Sequence, residues 1–193
     1  MNSFDARVRY TRMIIEKSFL ELLLEKPVRK ITVTELCKKA QINRATFYKH
    51  YLDIQDLFDK LEKELFDKIR NTFQEGKLKS KEFLVKMIKY TQDNQASFMA
   101  LCGDCGDPEL MTKVFLVCCE SAYPMIKQNI PGINESERQL FYQFLSHGAG
   151  GVMTWWINNG MKEPAENVAQ YIWDFCNATV ECVQKKGYNT TEL

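Results

Sequence analysis

The sequence predicts an all-α protein of about nine helices, and three observations support this fold class. Apolar residues recur at intervals of three and four along most of the chain, which is the spacing of one helical face. Candidate N-cap residues and Gly or Pro residues separate these stretches. No stretch has the alternating pattern of a half-buried β-strand. With 193 residues, 45% of them hydrophobic, the chain is long enough to bury a core.

The first predicted helix runs over residues 8–25 and carries one apolar stripe. It ends ahead of Pro27, which disfavours helical structure in the residue before it. Three arginines near the start of this helix are candidates for phosphate contacts or for a solvated surface: Arg7, Arg9 and Arg12.

The segment 31–51 predicts two short helices joined by a tight turn. Thr32 followed by Glu35 has the spacing of a capping box, in which each side chain bonds the backbone amide of the other residue. Asn43 is a good N-cap for the second helix, because its side-chain oxygen can accept the amides of the first turn. The segment therefore predicts a helix-turn-helix.

The second of these helices has one apolar face and one polar face. Phe47 and Tyr51 lie one turn apart, so we expect both to be buried. Basic, aromatic and hydroxyl side chains remain on the outward surface, which suits insertion into a DNA major groove. These outward residues are Arg44, Thr46, Tyr48, Lys49 and His50. Spacing alone does not separate this interpretation from a helical hairpin with a solvated basic face.

The run TVTELCKKA followed by INRATFYKHY and LDIQDLF resembles the N-terminal domain of the tetracycline-repressor (TetR) family over about the first sixty residues. The resemblance implies a three-helix DNA-binding domain over residues 1–53. It also implies that residues 54–193 form a helical effector-binding and dimerisation domain. The expected partners are a palindromic double-stranded DNA operator, a second copy of the chain and a small-molecule effector.

The resemblance and the outward surface together give the expected DNA contacts. Arg44, Tyr48 and His50 are predicted to contact base edges, and Thr46 and Lys49 to contact phosphates. The full predicted set is Thr32, Thr34, Arg44, Ala45, Thr46, Tyr48, Lys49 and His50. Two positions depart from the family pattern. Gln41 stands at the turn where glycine is usual, and Ile54 stands where many members have a phosphate-contacting lysine.

The charge distribution supports this assignment. Residues 1–51 contain eleven Lys and Arg against five Asp and Glu, a net charge of +6. The remaining residues contain fifteen against twenty, a net charge of −5, so the whole chain is near neutral. A basic N-terminal segment on an acidic body is the asymmetry expected of a small DNA-binding domain attached to a larger domain with another role.

Five further helical stretches follow the helix-turn-helix. They cover residues 53–73, 80–98, 110–127, 134–157 and 164–186. Asp53 is expected to cap the first of them, and Asp107 and Pro108 to begin the third after the break CGDCGDP. A kink is expected at Pro124.

The segment HGAGGVMTWWINNGM lies inside the penultimate helix and predicts a close helix contact. Each glycine there costs up to about 1 kcal/mol relative to alanine, and small residues allow another helix to approach. The segment resembles the C-terminal domain of TetR regulators of the dihydroxyacetone-kinase-regulator type, in which the last two helices form a four-helix dimer interface. The interface residues so implied are Gly148, Gly151, Val152, Trp155, Trp156, Tyr171 and Phe175. The alternative is that residues 148–151 pack within one chain.

Bulky and soft side chains on the central helices are candidates for an effector cavity, as the family resemblance implies. They are Tyr90, Phe98, Met111, Phe115, Cys118, Phe144 and His147. Each is also compatible with ordinary core packing. The effector itself is unidentified, and no cofactor is expected.

Seven cysteines, an odd number, argue against a disulfide framework. Cys102 and Cys105 form a single C-x-x-C without the second half of a zinc site, so no metal is expected. The alternative of an enzyme, such as a thiol oxidoreductase, has little support, because the sequence lacks a βαβ pattern and a phosphate loop. Three alternatives remain. The switch could be thiol chemistry including Cys118 or Cys119, the trigger could be a partner protein, or the regulator could activate rather than repress.

The apolar runs of the chain are all short. None approaches the roughly 18 residues needed to span a bilayer, and charges interrupt the N-terminal apolar runs. The expected location is cytoplasmic, without membrane association.

Overall fold

The computed structural model describes residues 3–73, 81–121 and 133–186, in which helices are joined by turns and short connections. Nine α-helices and a 3₁₀ turn at Val28–Lys30 occur there, with no β-strand in the same residues. The all-α prediction is confirmed. The helices are α1 Ser3–Leu23, α2 Val33–Lys39, α3 Arg44–Tyr48, α4 Ile54–Phe73, α5 Lys81–Asp93, α6 Gln95–Cys102, α7 Leu110–Ser121, α8 Glu135–Asn158 and α9 Ala165–Lys186.

Two predicted helices differ from those observed. The predicted helix 80–98 is divided into α5 and α6 at Asn94, whose side-chain Nδ2 donates to the carbonyl of Tyr90 at 2.8 Å. Asparagine side chains compete with the helical ladder in this way, and no Gly or Pro marks the break. Helix α7 begins at Leu110, as the predicted range does, so Pro108 precedes the helix and does not begin it. The expected kink at Pro124 lies outside the described residues.

The chain divides into two compact units. The first comprises the residues up to Lys68 together with Ala96–Pro108, and the second comprises Ile69–Gln95 and the residues from Glu109. The division expected after residue 53 therefore falls inside the first unit. The reason is packing between α1 and α4, where the rings of Phe19 and Phe58 meet edge to face with centroids 6.5 Å apart.

In the first unit, α2 packs against both α1 and α3. Its core contains fully buried side chains from α1, α2, α3 and α4, which fix the short helices that could not be stable alone. They include Ile15, Phe19, Leu36, Phe47 and Leu57.

In the second unit, α7 packs against α8, and α9 packs against α5 and α8. A Cβ atom on Gly150 of α8 would lie 2.6 Å from the Cα of Thr112 on α7, so glycine is needed for this close approach. Lys89 of α5 and Glu166 of α9 form an ion pair at 2.6 Å. The alternative of intrachain packing is therefore correct for Gly150.

Helix α8 has well-defined ends. Asn134 and Glu137 form a reciprocal capping box at its start. At its end, Gly160 and Met161 both have positive φ, and the amide of Met161 donates to the carbonyl of Trp156 at 2.9 Å. None of the helices in the described ranges is long and apolar enough to cross a membrane.

Candidate nucleic-acid interface

The start of α2 is capped by Thr32, whose side-chain oxygen accepts the Glu35 amide at 3.2 Å. The Glu35 carboxylate does not complete the predicted capping box. It forms an ion pair with Lys26, which lowers the pKa of this carboxyl. Thr32 and Thr34 are exposed at this end of α2.

The turn between α2 and α3 depends on Gln41, which has φ +54°. This left-handed conformation is the one that glycine adopts most readily, and glycine is the usual residue at this turn. The Gln41 amide donates to the carbonyl of Lys38 at 3.3 Å, and the Ile42 amide to that of Cys37 at 3.0 Å. This pair of bonds is a Schellman motif, which ends α2 and sets the direction in which α3 begins.

Helix α3 is anchored at its start and along one side. The Asn43 side-chain oxygen accepts the backbone amide of Thr46 at 2.7 Å and its hydroxyl at 2.9 Å, so the predicted N-cap is confirmed. Phe47 and Tyr51 are buried, as expected from their spacing. The orientation of α3 about its own axis is therefore fixed by two aromatic side chains.

The opposite side of α3 carries the predicted DNA contacts. Arg44, Ala45, Tyr48 and Lys49 are exposed, and His50 is half-buried. The Arg44 guanidinium donates to the Tyr48 hydroxyl at 3.2 Å and lies 5.8 Å from the centre of its ring. This hydrogen bond raises the pKa of Arg44, so the group is charged at any physiological pH.

One predicted phosphate contact is less available than the sequence indicated. The Thr46 hydroxyl already donates to Asn43, so it would have to break that bond to donate to a phosphate. Ile54, which stands where the family pattern has a phosphate-contacting lysine, is buried and supplies no such contact. Lys49 is exposed and is the better phosphate donor on α3.

A second candidate surface, here called the α8–α9 face, consists of large apolar side chains that remain exposed on α8 and α9. Phe144 is 65% exposed and Phe175 is 62% exposed. A Cβ atom on Gly148 or Gly151 would meet no atom within 4 Å. An open groove of about 290 Å³ runs between the two helices. The face consists of Leu140, Phe144, Gly148, Gly151, Val152, Trp155, Tyr171 and Phe175.

Trp156 was predicted on this face, but it belongs to the core. It is only 1% exposed, and its Nε1 donates to the carbonyl of Glu163 at 2.8 Å. Adjacent residues in a helix point about 100° apart, so Trp155 and Trp156 cannot share one face. Leu140 was missed, although it lies four residues before Phe144 and the helical spacing would have indicated it.

Comparison with known proteins identifies the chain. Residues 78–178, more than half of it, match the TetR-type family described as transcriptional regulator C-terminal region. The chain belongs to the TetR family of transcriptional regulators. Family members bind operator DNA and usually form dimers.

Individual relatives of this TetR regulator are also named as transcriptional regulators. It is 27% identical over 178 residues to the uncharacterized HTH-type transcriptional regulator YxbF of Bacillus subtilis (strain 168), a match that covers 89% of this chain and 46% of YxbF. The chain thus spans about half the length of that curated relative. A TetR transcriptional regulator from Streptococcus agalactiae 2603V has a TM-score of 0.66 at 27% identity, covering 91% of this chain and 99% of the other.

Two more distant structures share the fold alone. The dihydroxyacetone kinase operon activator DhaS has a TM-score of 0.61 at 16% identity, covering 89% of this chain and 97% of its own. The fatty acid degradation regulator FadR from Bacillus halodurans has a TM-score of 0.54 at 16% identity, covering 86% and 94% respectively.

The predicted effector-binding residues of this TetR regulator differ in burial. Met111 and Phe115 are buried on α7, whereas Phe144 and His147 are exposed on α8. Phe144 lines the open groove of the α8–α9 face, so we assign it there. The others are Tyr90, which is half-buried on α5, Phe98, which is buried in the first unit, and Cys118, whose side chain lies outside the described residues.

The cysteines give little support to a thiol switch. Cys102 is fully buried, and burial strongly raises the pKa of its thiol, which disfavours the reactive thiolate. Cys105 is half-buried and has no disulfide partner. The side chains of Cys118 and Cys119 lie outside the described residues. Among the described residues, no group of three His, Cys, Asp or Glu side chains has the arrangement of a metal site.

Proposed function

We propose that this TetR regulator is a homodimeric repressor that binds its operator through α3 and is released by a small-molecule effector. The geometry of α3 carries the proposal. Phe47 and Tyr51 hold the helix against the first unit, and its charged and aromatic side faces outward. A short helix held in this way can enter a major groove, where side chains at its N-terminal end contact base edges.

The exposed residues of α3 have distinct proposed roles. Arg44 at the first turn suits a bidentate contact with guanine, and Lys49 suits a phosphate. Tyr48 and His50 complete the base contacts, and Ala45 supplies a methyl group for a thymine methyl. The net charge of +6 on residues 1–51 would attract the DNA backbone.

Dimerisation through the α8–α9 face is supported by its apolar area. An aromatic side chain carries about 150–250 Å² of surface, so its four exposed aromatic residues present roughly 400–600 Å² between them. A stable interface buries about 800 Å² on each partner. Contiguous apolar patches of more than a few hundred Å² on a monomer are rare and often functional. A two-fold dimer would present two α3 helices to half-sites about one helical turn, near 34 Å, apart.

The proposed switch acts through α4. Residues of α4 up to Lys68 belong to the first unit and those from Ile69 to the second, so a ligand-induced shift of this helix would change the spacing of the two α3 helices. A coupling free energy of about 1–3 kcal/mol suffices to release an operator.

The first experiment selects binding sites from a library of random DNA duplexes with the purified protein. We expect enrichment of a palindrome with two half-sites. The variant Arg44→Ala/Tyr48→Ala should then bind that site at least ~100-fold more weakly, because each lost base contact costs about 1–3 kcal/mol. Lys17→Ala removes an exposed charge from α1 and serves as the matched control, with an expected change below about twofold.

Unchanged operator affinity in the double variant would contradict the roles assigned to α3. The switch is tested on the same operator, first with a library of small metabolites and then with and without reductant. Release by a metabolite supports the proposed effector. Release on oxidation alone would instead indicate the thiol switch.

A further inference from the structure

Arg12 on α1 links α1 to α4 in the first unit and is connected through Glu16 to Tyr51, which follows α3. Its guanidinium forms ion pairs with Glu16 on the same helix and with Glu64 on α4. The Glu16 carboxylate also accepts a hydrogen bond from the Tyr51 hydroxyl at 2.8 Å. We call these four residues the Arg12 bridge.

Tyr51 connects the bridge to the recognition helix α3. Its amide donates to the carbonyl of Phe47 at 3.1 Å, and the two ring centroids are 5.8 Å apart. Tyr51 is buried, which raises the pKa of its hydroxyl, so the hydroxyl stays protonated and donates to Glu16.

A second residue of α4 reaches the same end of α3. The Lys60 ammonium lies 5.2 Å from the centre of the Tyr51 ring, and it donates to the carbonyl of His50 at 3.5 Å. Lys60 and Glu64 are one turn apart on α4. Lys60 contacts the residues that follow α3 directly, whereas Glu64 is connected to them through Arg12 and Glu16. Both contacts lie within residues that form one compact unit.

The bridge is better suited to positioning than to stabilising the fold. The Arg12 and Glu64 side chains are 45% and 40% exposed, and exposed ion pairs add little to the free energy of unfolding. An arginine fork that binds carboxylates from two helices nevertheless restricts how those helices can be placed.

We propose that Arg12 is a positioning residue for operator binding, which holds α3 in register with α4 through the carboxylates of Glu16 and Glu64. This inference rests on the proposed DNA binding by α3. It differs from the interpretation in which Arg12 contacts a phosphate, because its guanidinium is already paired with two carboxylates.

Two variants that change the net charge in opposite directions test the proposal. Arg12→Gln removes a positive charge and Glu64→Gln removes a negative one, but both break the bridge between α1 and α4. Simple attraction to DNA would weaken binding by the first variant and tighten binding by the second. Loss of positioning weakens both, and we expect a five- to tenfold loss of affinity for the selected operator in each.

The salt dependence of binding separates positioning from phosphate contact. A lost phosphate contact lowers the slope of log K against log salt by about 0.9, whereas a positioning residue leaves the slope unchanged. Lys17→Gln, on an exposed site of α1, is the control for charge alone. Tyr51→Phe removes only a hydroxyl and keeps the buried ring, so it tests the bridge if Arg12→Gln fails to fold.

The outcomes are distinct. Weaker binding by both charge variants, with the wild-type slope, supports the proposal. Weaker binding by Arg12→Gln alone with a reduced slope, or wild-type affinity in both variants, would overturn it while leaving operator binding by α3 intact. Failure of the wild-type protein to enrich any duplex would overturn the proposed function and this inference together.

Discussion

At the scale of single residues, the turn between α2 and α3 includes a backbone conformation that is unfavourable in free energy. Gln41 adopts a left-handed conformation, with φ +54°, that L-residues other than glycine adopt at about 1–2 kcal/mol. The two backbone hydrogen bonds of the Schellman motif hold it there. The side chain of Gln41 is exposed, so it gains little from packing in return.

Replacement of this residue by glycine should therefore stabilise the protein. We expect Gln41→Gly to raise the free energy of unfolding by about 0.5–1 kcal/mol, because relief of the strain exceeds the entropy that glycine loses on folding. Urea denaturation measures the change. Gln41→Ala retains the strain and is the control, with no gain expected. A lower urea midpoint for Gln41→Gly than for the wild type would contradict this account.

Local interactions made several of these residues predictable. The caps at Thr32 and Asn43 and the burial of Phe47 depend on neighbours within four residues, so the sequence pattern contains the information. The pairing of Arg12 with Glu64 depends on the fold, because the two residues are 52 positions apart. The partner of such a charged residue cannot be read from its surroundings in the chain.

At the scale of helices, Gly150 sets the distance between α7 and α8. An added methyl group at this position would lie 2.5 Å from the Thr112 hydroxyl oxygen and 2.6 Å from its Cα. Since backbone atoms cannot rotate away, the two helices would have to move apart. The same helix carries Gly148, where an added methyl group meets no atom of the described residues within 4 Å.

These two glycines form a matched pair of substitutions. We expect Gly150→Ala to lower the free energy of unfolding by about 1–3 kcal/mol through overpacking. Gly148→Ala should change it by less than about 1 kcal/mol, because alanine favours the helix and no atom of the chain opposes it. Urea denaturation at two protein concentrations measures both. Equal losses in the two variants would show that α7 and α8 are not held together at Gly150.

The sequence predicted the α8 helix better than it predicted α5 and α6. Helix α8 is marked by Asn134 and by Gly160, which have strong end preferences. The break at Asn94 carries no such signal, since asparagine also occurs inside helices. Which of Trp155 and Trp156 is buried was likewise not predictable, because both lie beside apolar neighbours.

At the scale of the whole molecule, the proposed dimer would cover the exposed apolar side chains of the α8–α9 face. We expect Phe175→Glu to raise the dissociation constant of the dimer ~100-fold or more, because a buried charge would replace an aromatic contact. Sedimentation equilibrium measures the change. Tyr10→Glu, at an aromatic residue that is 60% exposed on α1, is the matched control and should leave the dimer unchanged.

The Phe175→Glu variant should also bind operator DNA more weakly. A monomeric Phe175→Glu protein should bind the full operator at least tenfold more weakly than the wild type and show the affinity of a single half-site. Circular dichroism should report the same helix content in both proteins. If the variant remained a dimer with its fold intact, another surface of the chain would have to form the interface.

The three interior glycines of α8 differ in which molecule constrains them. Gly150 is required by its own chain, whereas Gly148 and Gly151 leave space that no described residue of the chain fills. If a second copy fills that space, changes at these two sites can alter partner choice without disturbing folding. After gene duplication, a larger residue at Gly148 together with a compensating smaller residue opposite it would then separate two sister regulators into subunits that no longer exchange.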